Sequence, residues 1–345
     1  MKKEIKKVIL GMSGGLDSST ALYLLKEQGF EVLGVFLKFF FFDEKEQKKR
    51  IESTQKLCKR FGFKHLVLEA QKDFEKKIFS YFLNTLKQNE TPSPCLFCNR
   101  EVKIELLYKL AQKRKIPFVA TGHYARIKDK KLFKARDKQK DQSYFLGLLK
   151  KKHLKKLIFP LGELSYSEVK KIAVKQKIEV PEKSSQDLCF INDKKFDQFL
   201  EKELGRDVGE IVNAKGEILG EHKGLCFYTI GQRKGIELAG GPFWVVGFNK
   251  KKNQLIVTDK KDSPLLLVRK VVLKDLNFLV KKRKEFEVEA KVRYRQSLAK
   301  ARLVVKGNRA ELLFQKPQRA VTPGQIAVFY KKDLCLGGGV ITNKA

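Results

Sequence analysis

The sequence predicts an α/β protein in three parts. A parallel sheet with helices on both faces fills the N-terminal segment, a small mostly-β domain follows, and a C-terminal β-barrel closes the chain. Three observations carry this expectation. Strand-length apolar runs alternate with helical stretches through the first half, and such alternation implies a parallel sheet covered on both faces. From Gly205 onward, glycines punctuate short runs of alternating character, the pattern of small barrels or sandwiches. The chain has 345 residues, which is too long for one ordinary core. Boundaries near Gly205 and Arg269 give segments 1–204, 205–268 and 269–345.

The elements follow in order. Residues 7–10 read as a strand, 20–28 as a helix closed by Gly29, and 31–37 as a second strand. A lysine-rich helix over 46–61 ends at Gly62. Residues 64–68 form a third strand, 73–88 a helix, 101–114 another helix, and 117–120 a fourth strand. The four phenylalanines at 39–42 read as a buried strand end before a solvated helix. In the second half, strands are expected at 210–212, 225–230, 243–248, 254–257, 285–294, 301–305, 310–314 and 326–330. Trp244 reads as core.

The most informative stretch lies between the first strand and the first helix, where Leu10 is followed by Gly11, Met12, Ser13, Gly14, Gly15, Leu16, Asp17 and Ser18. Gly14 and Gly15 can take positive φ and turn backbone N–H groups outward. Ser18 or Ser19 can cap the new helix. A turn of N–H groups at a helix N-terminus suits phosphate. No Gly-Lys-Ser/Thr follows, so this is not a Walker loop. Asp17 offers the hard oxygen ligand that Mg²⁺ prefers. In open parallel sheets ligands sit at the carboxyl ends of strands, where this loop and the loop after Ala120 both lie.

Lys plus Arg number 74 against 39 acids, a formal charge of +35. That excess attracts polyanions, most simply nucleic acid; a solvated lysine surface in a biased genome is the bland alternative. The most apolar stretch, 32–42, is broken by Lys38 and too short to span a membrane. The N-terminal apolar run stops at Gly11, too early for a signal peptide. A cytoplasmic enzyme is expected, without membrane contact. Six cysteines are too sparse for a disulfide scaffold. Cys58, Cys226 and Cys335 read as core. Cys95 and Cys98 sit in a Pro-rich segment, where Cys98 is placed near the start of the next helix. A helix N-terminus and Arg100 would lower its thiol pKa and favour the nucleophilic thiolate. Cys95-x-x-Cys98 also fits a redox or metal pair. Cys189 reads as part of a strand, structural or reactive.

Residues 13–18 resemble the S-G-G-x-D-S loop of the N-type ATP pyrophosphatases (PP-loop enzymes), which split ATP into AMP and pyrophosphate. Nearly end to end, the chain resembles the bacterial tRNA-specific 2-thiouridylases, the MnmA family. The resemblance rests on 11–18, 91–99, 120–126, 140–146, 159–164, 186–191, 228–235, 293–296, 317–325 and 336–341. It implies an ATP-dependent tRNA-uridine 2-sulfurtransferase. ATP adenylates the C2 oxygen of the wobble uridine, and a persulfide sulfur then displaces AMP. By this resemblance Cys189 is the persulfide carrier, and Cys98 the partner that forms a disulfide with it. Gly11 through Ser18, with Leu37 and Gly122, would bind ATP. Ser93, Pro94, Cys95, His123, Lys140, Asp141, Gln142, Arg293, Tyr294 and Gln325 would meet tRNA. Lys, Glu and Gln tRNAs, a sulfur-donor or relay protein and Mg²⁺ are the implied partners.

The chain departs from the family at two places. Cys95 stands where the family usually has Asp, and Phe39 through Phe42 stand where it usually has Trp and acidic residues. With Cys95 present, Cys95, Cys98 and Cys189 could alternatively ligate a 4Fe-4S cluster carrying an extra sulfide. Two other readings keep the loop but not the sulfur chemistry: a different ATP pyrophosphatase, such as an amidotransferase-type synthetase or a tRNA lysidine synthetase, and a basic RNA-binding protein without catalysis.

Overall fold

The structure is a computed structural model that describes residues 6–39, 44–179, 189–190 and 196–342. The N-terminal part runs β1 (Lys7–Met12), α1 (Leu16–Glu27), β2 (Glu31–Lys38), α2 (Glu44–Arg60), β3 (Lys64–Glu69), α3 (Gln71–Phe74), α4 (Ser80–Lys87), α5 (Pro94–Cys98), α6 (Ile104–Lys113), β4 (Phe118–Thr121), β5 (Ala125–Lys128), β6 (Lys131–Lys134), α7 (Lys151–Leu154), β7 (Leu157–Ile158), α8 (Tyr166–Lys175) and α9 (Phe196–Leu204). Strands β3-β2-β1-β4-β7 form one sheet with every pairing parallel.

Both faces of this sheet are covered, which explains why its strands read as unbroken apolar runs. Ile9, Val35 and Val119 join Leu107 and Ala111 of α6 on one face. Val8, Leu10 and Ala120 join Ala21, Leu22 and Leu25 of α1 on the other. The carboxyl ends of β1 and β4 therefore lie side by side, with Gly11 paired to Thr121.

Two expected helices are differently built. The stretch expected at 73–88 is α3, a wide π-helical turn at Glu75–Phe79, then α4. The helix expected at 101–114 begins earlier. Pro94 occupies its first turn, which a fixed φ and a missing N–H suit, and a π turn at Asn99–Lys103 joins α5 to α6. Such turns occur frequently at functional sites. Phe39 is half-buried against Phe74, with ring centroids 5.3 Å apart; residues 40–42 of that run lie outside the described residues.

The central part holds β8 (Gly209–Val212), β9 (Ile218–His222), β10 (Trp244–Asn249) and β11 (Gln254–Thr258), in the order β10-β11-β8-β9. Trp244 packs half-buried against Val246 and Leu266. The strand expected at 225–230 is not one. A 3-10 turn at Leu225–Phe227 follows Gly224, whose φ is +138°. Leu225, Phe227, Tyr228 and Ile230 are buried there without a strand partner. The apolar spacing reported burial, not pairing.

The C-terminal part comprises β12 (Leu267–Phe278), β13 (Glu285–Lys291), β14 (Ala299–Lys306), β15 (Arg309–Arg319), β16 (Ile326–Lys331) and β17 (Leu334–Ile341). Antiparallel pairing in the order β12-β15-β14-β13-β16-β17 closes through β12–β17, making a six-stranded barrel. The hairpin β5–β6 leaves the N-terminal part and joins the barrel through β6–β17. Its two-residue turn, Asp129-Lys130, has positive φ at both positions, the geometry that matches strand twist. Arg126 Nη2 donates to Asp333 Oδ2 at 3.0 Å. A hairpin from the N-terminal part thus extends the barrel sheet.

Candidate active site

The loop after β1 closes on itself. The Ser13 N–H donates to Ser18 Oγ at 3.2 Å, and Ser18 Oγ donates to the Gly15 carbonyl at 3.1 Å. Gly14 takes φ +76°, and Gly15 stays extended at φ −92°, so only one glycine uses the left-handed region. Helix α1 starts at Leu16 with Gly15 at its N-cap and no capping side chain. Ser18 and Ser19 therefore sit inside the helix and do not cap it. A helix N-terminus without a side-chain cap offers its first N–H groups to an anion. Gly122 makes a close approach behind the loop: a Cβ there would meet Ser18 N at 2.8 Å and the Asp17 carbonyl carbon at 2.9 Å. Leu37 is buried at the end of β2, the neighbouring strand.

Asp17 lies in the first turn of α1. Tyr124 Oη donates to its Oδ1 at 3.0 Å. Burial pushes the Asp17 carboxyl up, opposed by the Tyr124 bond and the Lys140 ammonium. A single carboxylate beside a phosphate loop fits Mg²⁺, which takes one or two carboxylates plus substrate phosphates. Tyr124 is fully buried and braced from behind: its N–H donates to Gln142 Oε1 at 3.0 Å, and its carbonyl accepts from the Gln142 N–H at 2.8 Å.

All six cysteines are free. Cys98 is not at a helix start. It ends α5, one turn in, and is buried with Phe82 and Val102. Burial pushes its thiol up to about 12; the Lys103 ammonium and the Lys103 N–H, bonded to the sulfur, act downward, while the Cys189 and Cys95 thiols act upward. The expected helix-end activation is therefore overturned, because Pro94 starts the helix early and leaves the Cys98 sulfur in the apolar interior. Cys189 lies in a turn, not a strand, and is exposed as a residue. Burial nonetheless raises its thiol, with Lys103 and Arg50 opposing; the sulfur end, and not the residue average, sets that acidity. The two thiols are close enough to sense each other and one shared ammonium. Residues 186–188 and 191 of the motif lie outside the described residues. Among the described residues no group of three His, Cys, Asp or Glu side chains is placed to hold a metal ion. The Cys98 thiol packs with Phe82 and Val102 and feels the Cys95 and Cys189 thiols alike.

The residues expected at tRNA divide into two kinds. Ser93 and Pro94 are buried, and the Ser93 N–H donates to Tyr81 Oη at 3.2 Å; Cys95 is half-buried beside them. Gln325 Nε2 donates to the carbonyls of Thr91 at 3.2 Å and Pro92 at 3.0 Å, so it tethers the Pro-rich segment to the barrel. Tyr294 packs on Phe145 with centroids 4.3 Å apart. Arg293 Nη2 donates to the Ile230 carbonyl at 2.7 Å and to Thr322 Oγ1, which joins barrel and central part. Lys140 places its ammonium 3.9 Å from the Tyr166 ring centre. Asp141 is buried, and accepts from the N–H groups of Ala135 at 2.9 Å and Ser143 at 3.2 Å and from Ser143 Oγ at 2.9 Å. Its carboxylate holds the turn between Ala135 and Ser143. Gln142 braces Tyr124 through its Oε1 and its backbone N–H. Burial pushes His123 down to about 3, with Lys103 adding to the fall; its Nδ1 lies 2.7 Å from Thr121 Oγ1. It is a neutral hydrogen-bonding group, not a phosphate clamp.

Lys103 and Tyr124 escaped the sequence reading. Lys103 sits in the π turn, five residues after Cys98, and its charge acts on Cys98, Cys189 and His123 together. In an α-helix a residue five positions on faces elsewhere, whereas a wide turn brings it nearer the same side. Only the spacing of the turn, invisible in composition, could have flagged it.

Comparison with known proteins accounts for nearly the whole chain. Residues 6–193 match the family described as the tRNA methyl transferase HUP domain, 197–259 its PRC-barrel domain, and 268–341 the aminomethyltransferase beta-barrel domain. The chain is 38% identical over 360 residues to the tRNA-specific 2-thiouridylase MnmA 1 of Geobacillus kaustophilus, covering 99% of this chain and 96% of that one. It is 38% identical over 351 residues to the tRNA-specific 2-thiouridylase MnmA of Listeria welshimeri, covering 97% and 94%. A solved structure, the U34-tRNA thiolase NcsA from Methanococcus maripaludis with its [4Fe-4S] cluster, is 22% identical with a TM-score of 0.39, covering 58% and 68%. A likeness that slight bears on neither metal nor mechanism. No described helix is long and apolar enough to cross a membrane.

Proposed function

The chain belongs to the tRNA-specific 2-thiouridylase family, and from that premise we propose a reaction in which the loop after β1 and the two cysteines act in sequence on one uridine. The supporting observations are that Cys98 and Phe190, the residue after Cys189, share one apolar cluster and that the phosphate loop lies at the carboxyl end of the parallel sheet.

ATP lies with its phosphates on the loop of residues 11–18, at the N-terminus of α1. Gly122 leaves the space for that loop, and Leu37 lies toward the adenine. Mg²⁺, when bound, offsets the charge of the departing pyrophosphate, and Asp17 is the carboxylate that would hold it. The uridine O2 attacks the α-phosphorus and pyrophosphate leaves, so that O2 carries AMP. The outer sulfur of a Cys189 persulfide attacks C2, and AMP departs with O2. Cys98, as thiolate, attacks the Cys189 sulfur. The S–S bond of the persulfide breaks, its electron pair goes to the product sulfur, and a Cys98–Cys189 disulfide remains. Cellular thiols return that disulfide to two thiols. Thiolate attack on a sulfur of an S–S bond is ordinary exchange chemistry.

The buried Cys98 thiol is a weak acid, so Lys103 is the cation that would hold its thiolate. Ser93, Pro94, Cys95, His123, Lys140, Asp141, Gln142, Arg293, Tyr294 and Gln325 form the side toward tRNA. Gln325 and Arg293 do so by positioning their neighbours, and Lys140 by charge. The wobble uridines of Lys, Glu and Gln tRNAs are the substrates, a relay protein loads Cys189 with sulfur, and the cytoplasm is the place of action.

Cys98→Ala and Cys189→Ala each abolish 2-thiouridine formation while ATP binding persists. Normal 2-thiouridine in either variant would overturn the assignment.

A further inference from the structure

Phe190, the residue after the persulfide carrier, sits in an aromatic box. Its ring centroid is 5.2 Å from Phe74, 5.5 Å from Phe82 and 6.5 Å from Phe79, each edge-to-face. Phe199 continues the stack, 5.8 Å from Phe79. Phe190 is buried, whereas Cys189 beside it is exposed. The box is built on the run α3, π turn and α4, with Phe74 closing the first segment, Phe79 closing the wide turn and Phe82 in the second. The wide turn supplies the extra residue that sets Phe79 toward the same ring as Phe74 and Phe82.

Phe82 and Phe190 belong to the same apolar cluster as Cys98 and Val102. One cluster therefore holds the residue next to Cys189 and the side chain of Cys98. A turn residue is otherwise free to move by several ångströms, while a disulfide needs its two Cβ atoms within roughly 4 Å.

We propose that Phe190 is a positioning residue for sulfur transfer: locked between Phe74, Phe79 and Phe82, it holds Cys189 within reach of Cys98. This rests on the relay reading of the two cysteines. The role is orientation alone; Phe190 touches neither uridine nor ATP. It also explains a contrast in the chain. The carrier is exposed enough to receive sulfur, yet it adjoins a buried neighbour packed among Phe74, Phe79 and Phe82.

The test uses the full-length reduced protein and diamide, which takes two electrons and two protons from the thiol pair. The Cys98–Cys189 disulfide is followed by mass spectrometry, with ATP binding measured alongside. Phe190→Ala is expected to slow its formation by about tenfold or more, since small misplacements of reacting groups carry losses of that order, with ATP affinity unchanged. Phe190→Leu, which fills the box but loses the ring contacts, is expected to lie between the alanine variant and wild type. It carries the test if the alanine variant does not fold. Disulfide formation at the wild-type rate in a folded Phe190→Ala, or in Phe190→Leu where the alanine variant fails, overturns the anchor. If wild type makes no Cys98–Cys189 bond, the relay reading itself fails, a result distinct from an intact relay that ignores Phe190.

Discussion

The nucleotide loop and the sulfur region solve the same problem, placing reactive groups, by opposite means. The loop spans eight consecutive residues and bonds to itself through Ser13, Gly15 and Ser18. It is held closely from behind: by Gly122 against the backbone of Ser18 and Asp17, and by the Tyr124 hydroxyl on the Asp17 carboxylate. The sulfur region joins residues 91 positions apart, Cys98 in a helix and Cys189 in a turn. What connects them is side-chain packing around Phe190 and one ammonium, Lys103. A preformed loop can bind ATP whatever happens to the cysteines, so ATP use and sulfur transfer should separate cleanly under mutation.

The largest effect that would break this comparison is on the loop side. Gly122→Ala puts a Cβ into the backbone of Ser18 and Asp17, and overpacking of this kind costs about 1–3 kcal/mol. ATP affinity by calorimetry should fall roughly 10- to 100-fold, while diamide still forms the Cys98–Cys189 bond at the wild-type rate. Unchanged affinity would mean that the loop is not held from behind.

Tyr124→Phe is the next in size. It removes one hydrogen bond to a carboxylate, worth about 1.5–3 kcal/mol, and should weaken Mg²⁺-dependent ATP binding about tenfold. Magnesium-independent nucleotide binding should change much less, which separates a role in holding Asp17 from general damage. The smallest effect belongs to the sulfur side. Gln325→Ala frees the Thr91 and Pro92 carbonyls, each bond contributing about 1 kcal/mol. Thiolation should slow by a few-fold with ATP affinity unchanged.

The contrast also explains what the sequence could tell. The loop was legible because it is local: strand, glycines and helix are consecutive, and the reading erred on Gly15, on the start of α1, at Leu16 and not at Thr20, and on which residue caps it. The doubly covered sheet was legible from unbroken apolar runs such as Val8, Ile9 and Leu10. The sulfur side was not. Pro94 starts its helix a turn before Cys98, which reverses the environment of that thiol from helix end to apolar core. Lys103 comes into play only through a π turn. The β5–β6 hairpin joins a barrel some two hundred residues away in sequence, between Phe133 and Leu334, a pairing that no periodicity within either segment encodes. Residues 225–230 carry mostly apolar side chains because they are buried, although no strand pairs with them. The internal bonds of Asp141 and Gln142, to Ala135, Ser143 and Tyr124, were not legible either.

The most direct test of the central claim is a single turnover with Cys189 loaded as a persulfide carrying labelled sulfur, in the presence of tRNA, ATP and Mg²⁺. The account predicts labelled 2-thiouridine, one AMP per sulfur transferred, and a Cys98–Cys189 disulfide in the protein recovered afterwards. Labelled product with both thiols still free, or equal product from Cys189→Ala, would contradict it.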